Sequence, residues 1–88
     1  MAVYQRSTDA LHADVDGEVV VMNIESLDYF ALNPVAARIW ELLGETALTR
    51  EQLCERLLAE YEVDAARCEA SVVQFLDAAV AQGVVSVA

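Results

Sequence analysis

The groups in this sequence that carry out chemistry in other proteins are few and scattered. His12 is the only histidine, and no cysteine or carboxylate pair stands at ligand spacing from it. A structural zinc site takes four ligands, whereas His12, Cys54 and Cys68 are three candidates in total. Cys54 and Cys68 each fall on the apolar side of a helical segment, where a free cysteine packs as a small hydrophobe. There is no glycine-rich phosphate loop and no Ser-His-Asp set. The expectation is a protein that is not an enzyme and binds no metal or cofactor. The chemistry left to it is binding, and ESLDYFALNPVAARIWELL, residues 25–43, poses that question. A short aromatic strand stops at Asn33-Pro34 and becomes an amphipathic helix within one step.

The elements around this stretch can be read from local signals. Asp16-Gly17 between apolar runs predicts a two-residue hairpin joining Leu11–Val15 to Glu18–Ile24. Glu25-Ser26 predicts a second turn into Leu27–Leu32, completing a three-stranded antiparallel meander. Asn33 suits a helix N-cap and Pro34 the first helical position. Val35, Ala36, Ile39, Trp40 and Leu43 then recur at helical spacing as far as Gly44, with Ile39, Trp40 and Leu43 assigned to the core. Thr49 with Gln52 predicts a capping box, opening a second helix whose buried side is Leu53, Cys54, Leu57, Leu58 and Tyr61. Asp64 predicts the cap of a third helix that presents Cys68, Val72, Val73, Phe75, Leu76, Ala79 and Val80 before Gly83. The tail VVSVA is read as a short strand. The expected architecture is α+β: one domain over residues 1–88, a βββααα order, and a winged helix-turn-helix-like arrangement.

Charge narrows the partners. Fifteen acidic residues face five arginines and no lysine in 88 residues, a formal net charge of −10. Such a surface repels phosphate backbones and anionic lipid and attracts basic partners. The third helix offers Arg67 and Gln74 but also Glu69 and Asp77, so no nucleic acid is expected despite the helix-turn-helix outline. The hydrophobic share of 57% argues for a folded chain. The longest apolar runs are too short to span a bilayer, and no signal segment is visible. Reduced cysteines fit a cytoplasmic protein with no membrane partner.

The sheet carries the remaining information. Its second strand is apolar on both faces, with Val19 and Val21 on one and Val20, Met22 and Ile24 on the other. The third places Leu27, Tyr29 and Ala31 on one face, with Asp28, Phe30 and Leu32 opposite. One face packs on the helices; the other is an exposed apolar patch unless the N-terminal segment or the tail covers it. Strand three is also an edge able to receive another strand. Either a peptide or a second copy of the chain would complete it, and a winged-helix regulator of transcription is a further reading.

The block Tyr29-Phe30-Ala31-Leu32-Asn33-Pro34, followed by Ala37-Arg38-Ile39-Trp40-Glu41-Leu42-Leu43, resembles the signature of PqqD-like proteins. These are recognition elements that bind the leader segment of precursor peptides in pathways making ribosomal, post-translationally modified peptides. The resemblance implies a precursor leader peptide as partner, pairing with strand three and lying between it and the third helix. Carried over, it makes Leu27, Asp28, Tyr29, Phe30 and Ala31 the docking edge. Tyr29, Phe30, Val73, Leu76 and Val80 would form side-chain pockets, and Glu69 and Asp77 would pair with basic leader residues. A discrete chain of this kind looks most like the stand-alone subunit of lasso-peptide pathways. There it would work beside a separate leader peptidase and a cyclase or other modifying enzyme.

Overall fold

A computed structural model of the chain describes residues 2–88. The elements are β1 (Tyr4–Arg6), β2 (Ala10–Val15), β3 (Glu18–Asn23), β4 (Tyr29–Leu32), α1 (Pro34–Glu45), α2 (Arg50–Glu60), α3 (Ala65–Ala81) and β5 (Val85–Val87). β2, β3 and β4 form an antiparallel sheet in that order, and β1 pairs antiparallel with β5. The expected meander and three helices are present, and the tail is a strand as read. β1 was not foreseen. It is three residues long and lacks alternation, and it is held by pairing with β5 and by a bridge from Tyr4 to Leu48.

Local chemistry accounts for the boundaries. Asp16 (φ 51) and Gly17 (φ 85) both take left-handed backbone, as the tight turns that match strand twist require. Asn33 accepts the Ala36 N–H at 2.8 Å to cap α1. Thr49 and Gln52 form the reciprocal capping box at 2.9 and 3.1 Å, and Asp64 caps α3 through the Arg67 N–H at 2.8 Å. α1 runs through Gly44 to Glu45 rather than stopping at the glycine. Gly44 leaves room for the Arg6 guanidinium to lie against the helix, where a Cβ would come to 2.5 Å from its Cζ. That guanidinium sits 4.4 Å over the Trp40 ring and donates to the Trp40 carbonyl.

One cluster forms the core. Val21 and Leu32 of the sheet meet Ile39, Trp40 and Leu43 of α1, Leu53 and Leu57 of α2, and Val72, Phe75, Leu76 and Ala79 of α3. Leu58 and Tyr61, expected on the buried side of α2, are exposed, and Cys54 is half-buried. The helix-turn-helix packing buries a narrow stripe of α2, and these two side chains lie outside it.

The turn before β4 departs most from expectation. Leu27 adopts φ 65; its N–H donates to the Asn23 carbonyl at 2.8 Å, while the Asn23 N–H donates to the Asp28 carbonyl at 3.0 Å. Asn23 thus faces two residues, the pattern of a bulge. Leu27 and Asp28 are therefore turn, and the strand begins at Tyr29. Leu27 is 65% exposed, so its side chain gives little packing in return for left-handed backbone. Leu27→Gly is expected to raise stability by up to about 1.5 kcal/mol. It removes about 1–2 kcal/mol of strain against about 0.5–1 kcal/mol of added unfolded-state freedom. A thermal melt checks this, and a lowered Tm would show that Leu27 packs in solution.

Candidate functional site

The hydrogen bond from Asn23 to the Asp28 carbonyl fixes the phase of β4. In an antiparallel pair the N–H and C=O of one residue point to the same side and those of the next to the other. Asp28 faces β3, so Phe30, opposite Val21, and Leu32, opposite Val19, face β3 as well. Tyr29 and Ala31 then direct their N–H and C=O away from the sheet. The other two N–H groups of the expected docking edge are already used: Leu27 donates to Asn23, and Asp28 donates to Ser26 Oγ at 3.3 Å. The free edge therefore reduces to two residues of the five.

Side chains follow the complementary alternation. Tyr29, 72% exposed, and Ala31 lie on the outer face, while Phe30 is half-buried and Leu32 buried toward the helices. Leu11 and Val15 are also exposed on the outer face, with Val20 and Met22 half-buried between them and β4. Among the described residues neither terminal strand covers this face: β1 and β5 pair with each other, β1 against α1 and β5 against α3.

Between β4 and α3 runs a groove of about 260 Å³. Phe30, Ala31 and Leu32 form one wall, Asn33, Val35 and Ala36 the near end, and Ser71, Gln74, Phe75 and Ala78 of α3 the other wall. No charged side chain lines it. At the start of β4, the Asn23 amide Nδ2 donates to the Gln82 carbonyl at 3.0 Å, while its Oδ1 accepts the Glu25 and Ser26 N–H groups at 2.8 and 3.3 Å. One side chain thus joins the turn before β4 to the C-terminus of α3. Gly83 (φ 77) makes room for it, since a Cβ would approach Asn23 Nδ2 to 2.5 Å.

The structure brings Phe30 and Ala31 to the groove, with the Tyr29 side chain on the outer face of the sheet, but not the α3 residues expected from sequence. Leu76 is 2% exposed and belongs to the core. Glu69 and Val73 line a separate shallow depression with Ala66, Ala70 and Gln74. Asp77 and Val80 are exposed and line neither. The core stripe of α3 has two flanks; the apolar one attracted the assignment, and the flank bearing Ser71, Gln74 and Ala78 faces β4. Ser71, Gln74 and Ala78, small or uncharged and polar beside Phe75, leave this flank open as a groove.

The remaining electrostatics are structural. Arg38 of α1 grips Glu60 at the end of α2 at 2.7 and 2.8 Å. Those hydrogen bonds hold the Glu60 carboxyl below its ordinary range and raise the Arg38 guanidinium. Burial pushes the Cys54 thiol up, which keeps it from acting as a ready thiolate. Among the described residues no cluster of His, Cys, Asp and Glu is placed to hold a metal ion. No helix among them is long and apolar enough to cross a membrane.

A winged-helix-like frame in which the β4 edge of the sheet lies unpaired beside a helix-walled groove is the class of protein that this fold defines. The chain belongs to the PqqD family: the family model described as coenzyme PQQ synthesis protein D matches residues 18–85. Among solved structures it is similar to TbiB1 in complex with the TbiA(beta) leader peptide. Identity there is 32% over 93% of this chain and 94% of that one, at a TM-score of 0.81. A lasso peptide synthetase B1 complexed with the leader peptide shares the fold, at 23% identity over 94% and 96% of the two chains and a TM-score of 0.76. No curated protein matched significantly.

Proposed function

We propose that this chain is a non-catalytic adaptor. It binds the leader segment of a ribosomally made precursor peptide by strand addition at β4 and delivers it to separate processing enzymes, a leader peptidase and a cyclase. The observation that carries this reading is the outward-facing backbone of Tyr29 and Ala31 beside a groove lined by no charged side chain among the described residues. Similarity to TbiB1, a protein solved with a leader peptide, supports it. A docked strand would pair its backbone with Tyr29 and Ala31 and alternate its side chains between the outer face and the groove. Backbone pairing is tolerant of sequence, so the groove-facing side chains supply selection.

The test is a cleavage assay on the precursor encoded by a neighbouring reading frame. The purified chain alone should leave the precursor intact, and the separate peptidase should cleave it faster with the chain present. Cleavage or modification by the chain unaided would overturn the adaptor reading.

Charge should contribute modestly. A net charge of −10 favours encounter with basic leader residues, but exposed ion pairs are worth only about 0.2–1 kcal/mol each. Raising salt from about 0.05 to about 0.5 M, which shortens the Debye length from about 14 to about 4 Å, should weaken binding a few-fold. Titrations at both salts check this; a collapse by orders of magnitude would place electrostatics above pairing and apolar contact.

A further inference from the structure

The outer face of the β2–β3–β4 sheet is apolar where it meets water. Register sets its side chains in rows across the strands: Leu11 with Met22 and Tyr29, then Ala13 with Val20 and Ala31. A third row holds Val15 opposite Glu18, the one charged side chain among these eight positions. An antiparallel sheet with one solvated face ordinarily turns polar residues outward. Here Leu11 is 55% and Val15 53% exposed, both on β2, at the opposite side of the sheet from the β4 edge. A contiguous apolar face of this kind marks an interaction surface.

Charge and extent say what covers it. Residues 7–37, which hold the whole sheet and its turns, carry six carboxylates and no lysine or arginine. Of these, Asp16 and Glu18 are exposed at one end of the strands, and Glu25 and Asp28 at the other. Two copies of this face would bring like charges together. Three strands about 4.8 Å apart, six residues long at about 3.3 Å each, make roughly 300 Å². A stable interface takes roughly 800 Å² from each partner. The occupant that fits is a different protein, met transiently, with an apolar centre and lysine or arginine at its margin.

We infer that the separate leader peptidase docks on this face, and that the bound leader completes it. The inference rests on strand addition at β4. A strand paired there has one edge against β4 and one side toward the groove wall of α3, so the peptidase reaches it from the outer side. Its residues beside Tyr29 and Ala31 stand on the outer face with them and enlarge that face by about a third. The peptidase then meets leader and adaptor as one continuous surface, and it binds the adaptor more tightly when a leader is in place.

Cleavage by the peptidase, with the precursor in excess and the intact chain varied, provides the test, alongside leader affinity and Tm. Leu11→Arg with Val15→Arg, at exposed positions on the strand farthest from the leader, should leave Tm and leader affinity unchanged. The chain concentration giving half-maximal stimulation should rise about tenfold or more, because two charges would be buried against an apolar surface. Leu11→Thr with Val15→Thr, uncharged and strand-forming, should give a smaller loss in the same direction. Glu18→Lys should cost about threefold at low salt and almost nothing at high salt. Sedimentation of chain and peptidase should show tighter association with leader than without; equal association would overturn the leader's part in the surface. Double variants that stimulate as well as the natural chain would overturn the docking face and leave strand addition standing. So would a dimer of the natural chain that Leu11→Arg with Val15→Arg dissolves, which would give the face to a second copy. Leader affinity lost in those variants, with the Tyr29 and Ala31 amides unmoved by leader, would overturn strand addition and the docking face together.

Discussion

Ala31→Pro is expected to leave the protein folded and to weaken strand addition at β4 strongly. The Ala31 N–H points away from β3, so proline there removes no bond of the sheet, and edge strands tolerate proline at such positions. What it removes is a donor to the incoming strand, worth about 0.5–1.5 kcal/mol. Its ring also occupies the path of the peptide backbone, so the loss of affinity should reach roughly tens of fold. Phe30→Pro is the matched control. Phe30 faces Val21, so proline there breaks the β3–β4 ladder and should lower Tm sharply. Peptide affinity and Tm measured on both variants check the phase of the strand. If Phe30→Pro stayed folded and selectively lost binding, the outward and inward positions would be reversed.

Leu76→Ala is expected to act on stability and not on recognition. Leu76 is 2% exposed within the core cluster, and truncating a buried leucine costs about 2–5 kcal/mol. In a domain this small, each kcal/mol moves Tm by roughly 4–8 °C, so the melt should shift by about 8 °C or more. Peptide affinity, measured where the variant is fully folded, should match that of the natural chain. Phe75→Ala is the contrast, because Phe75 is both buried and a wall of the groove; it should lose stability and affinity together. Weakened binding by Leu76→Ala without a shift in Tm would return that residue to the groove.

These two residues mark what was legible in the sequence. Turn and cap chemistry placed the hairpin, the starts of all three helices and the core of α1, because Asp16-Gly17, Asn33-Pro34, Thr49 with Gln52, and Asp64 each have a local hydrogen-bonding or steric reason to be where they are. The edge strand was legible from its aromatic residues and the Asn-Pro stop. Its length was not, because Leu27 carries no residue-type signal for left-handed backbone, the position a glycine usually marks. β1 was missed for the opposite reason: three residues acquire strand geometry only through β5, at the far end of the chain. Which flank of α3 faces β4 was not legible, because periodicity identifies the stripe that packs but not which neighbour each flank meets. The apolar flank with Val73 and Val80 looked more like a binding surface than the flank with Ser71, Gln74 and Ala78.

Strand addition can be read most directly from amide hydrogen exchange, with and without the precursor's leader peptide. In the free protein the Tyr29 and Ala31 amides face solvent and should exchange fast, while Phe30, bonded into the sheet, should exchange slowly. Adding the leader should protect Tyr29 and Ala31 and shift the backbone resonances of Ser71 through Ala78. Protection confined to α1 and α2, with Tyr29 and Ala31 exchanging as fast as before, would contradict docking at β4.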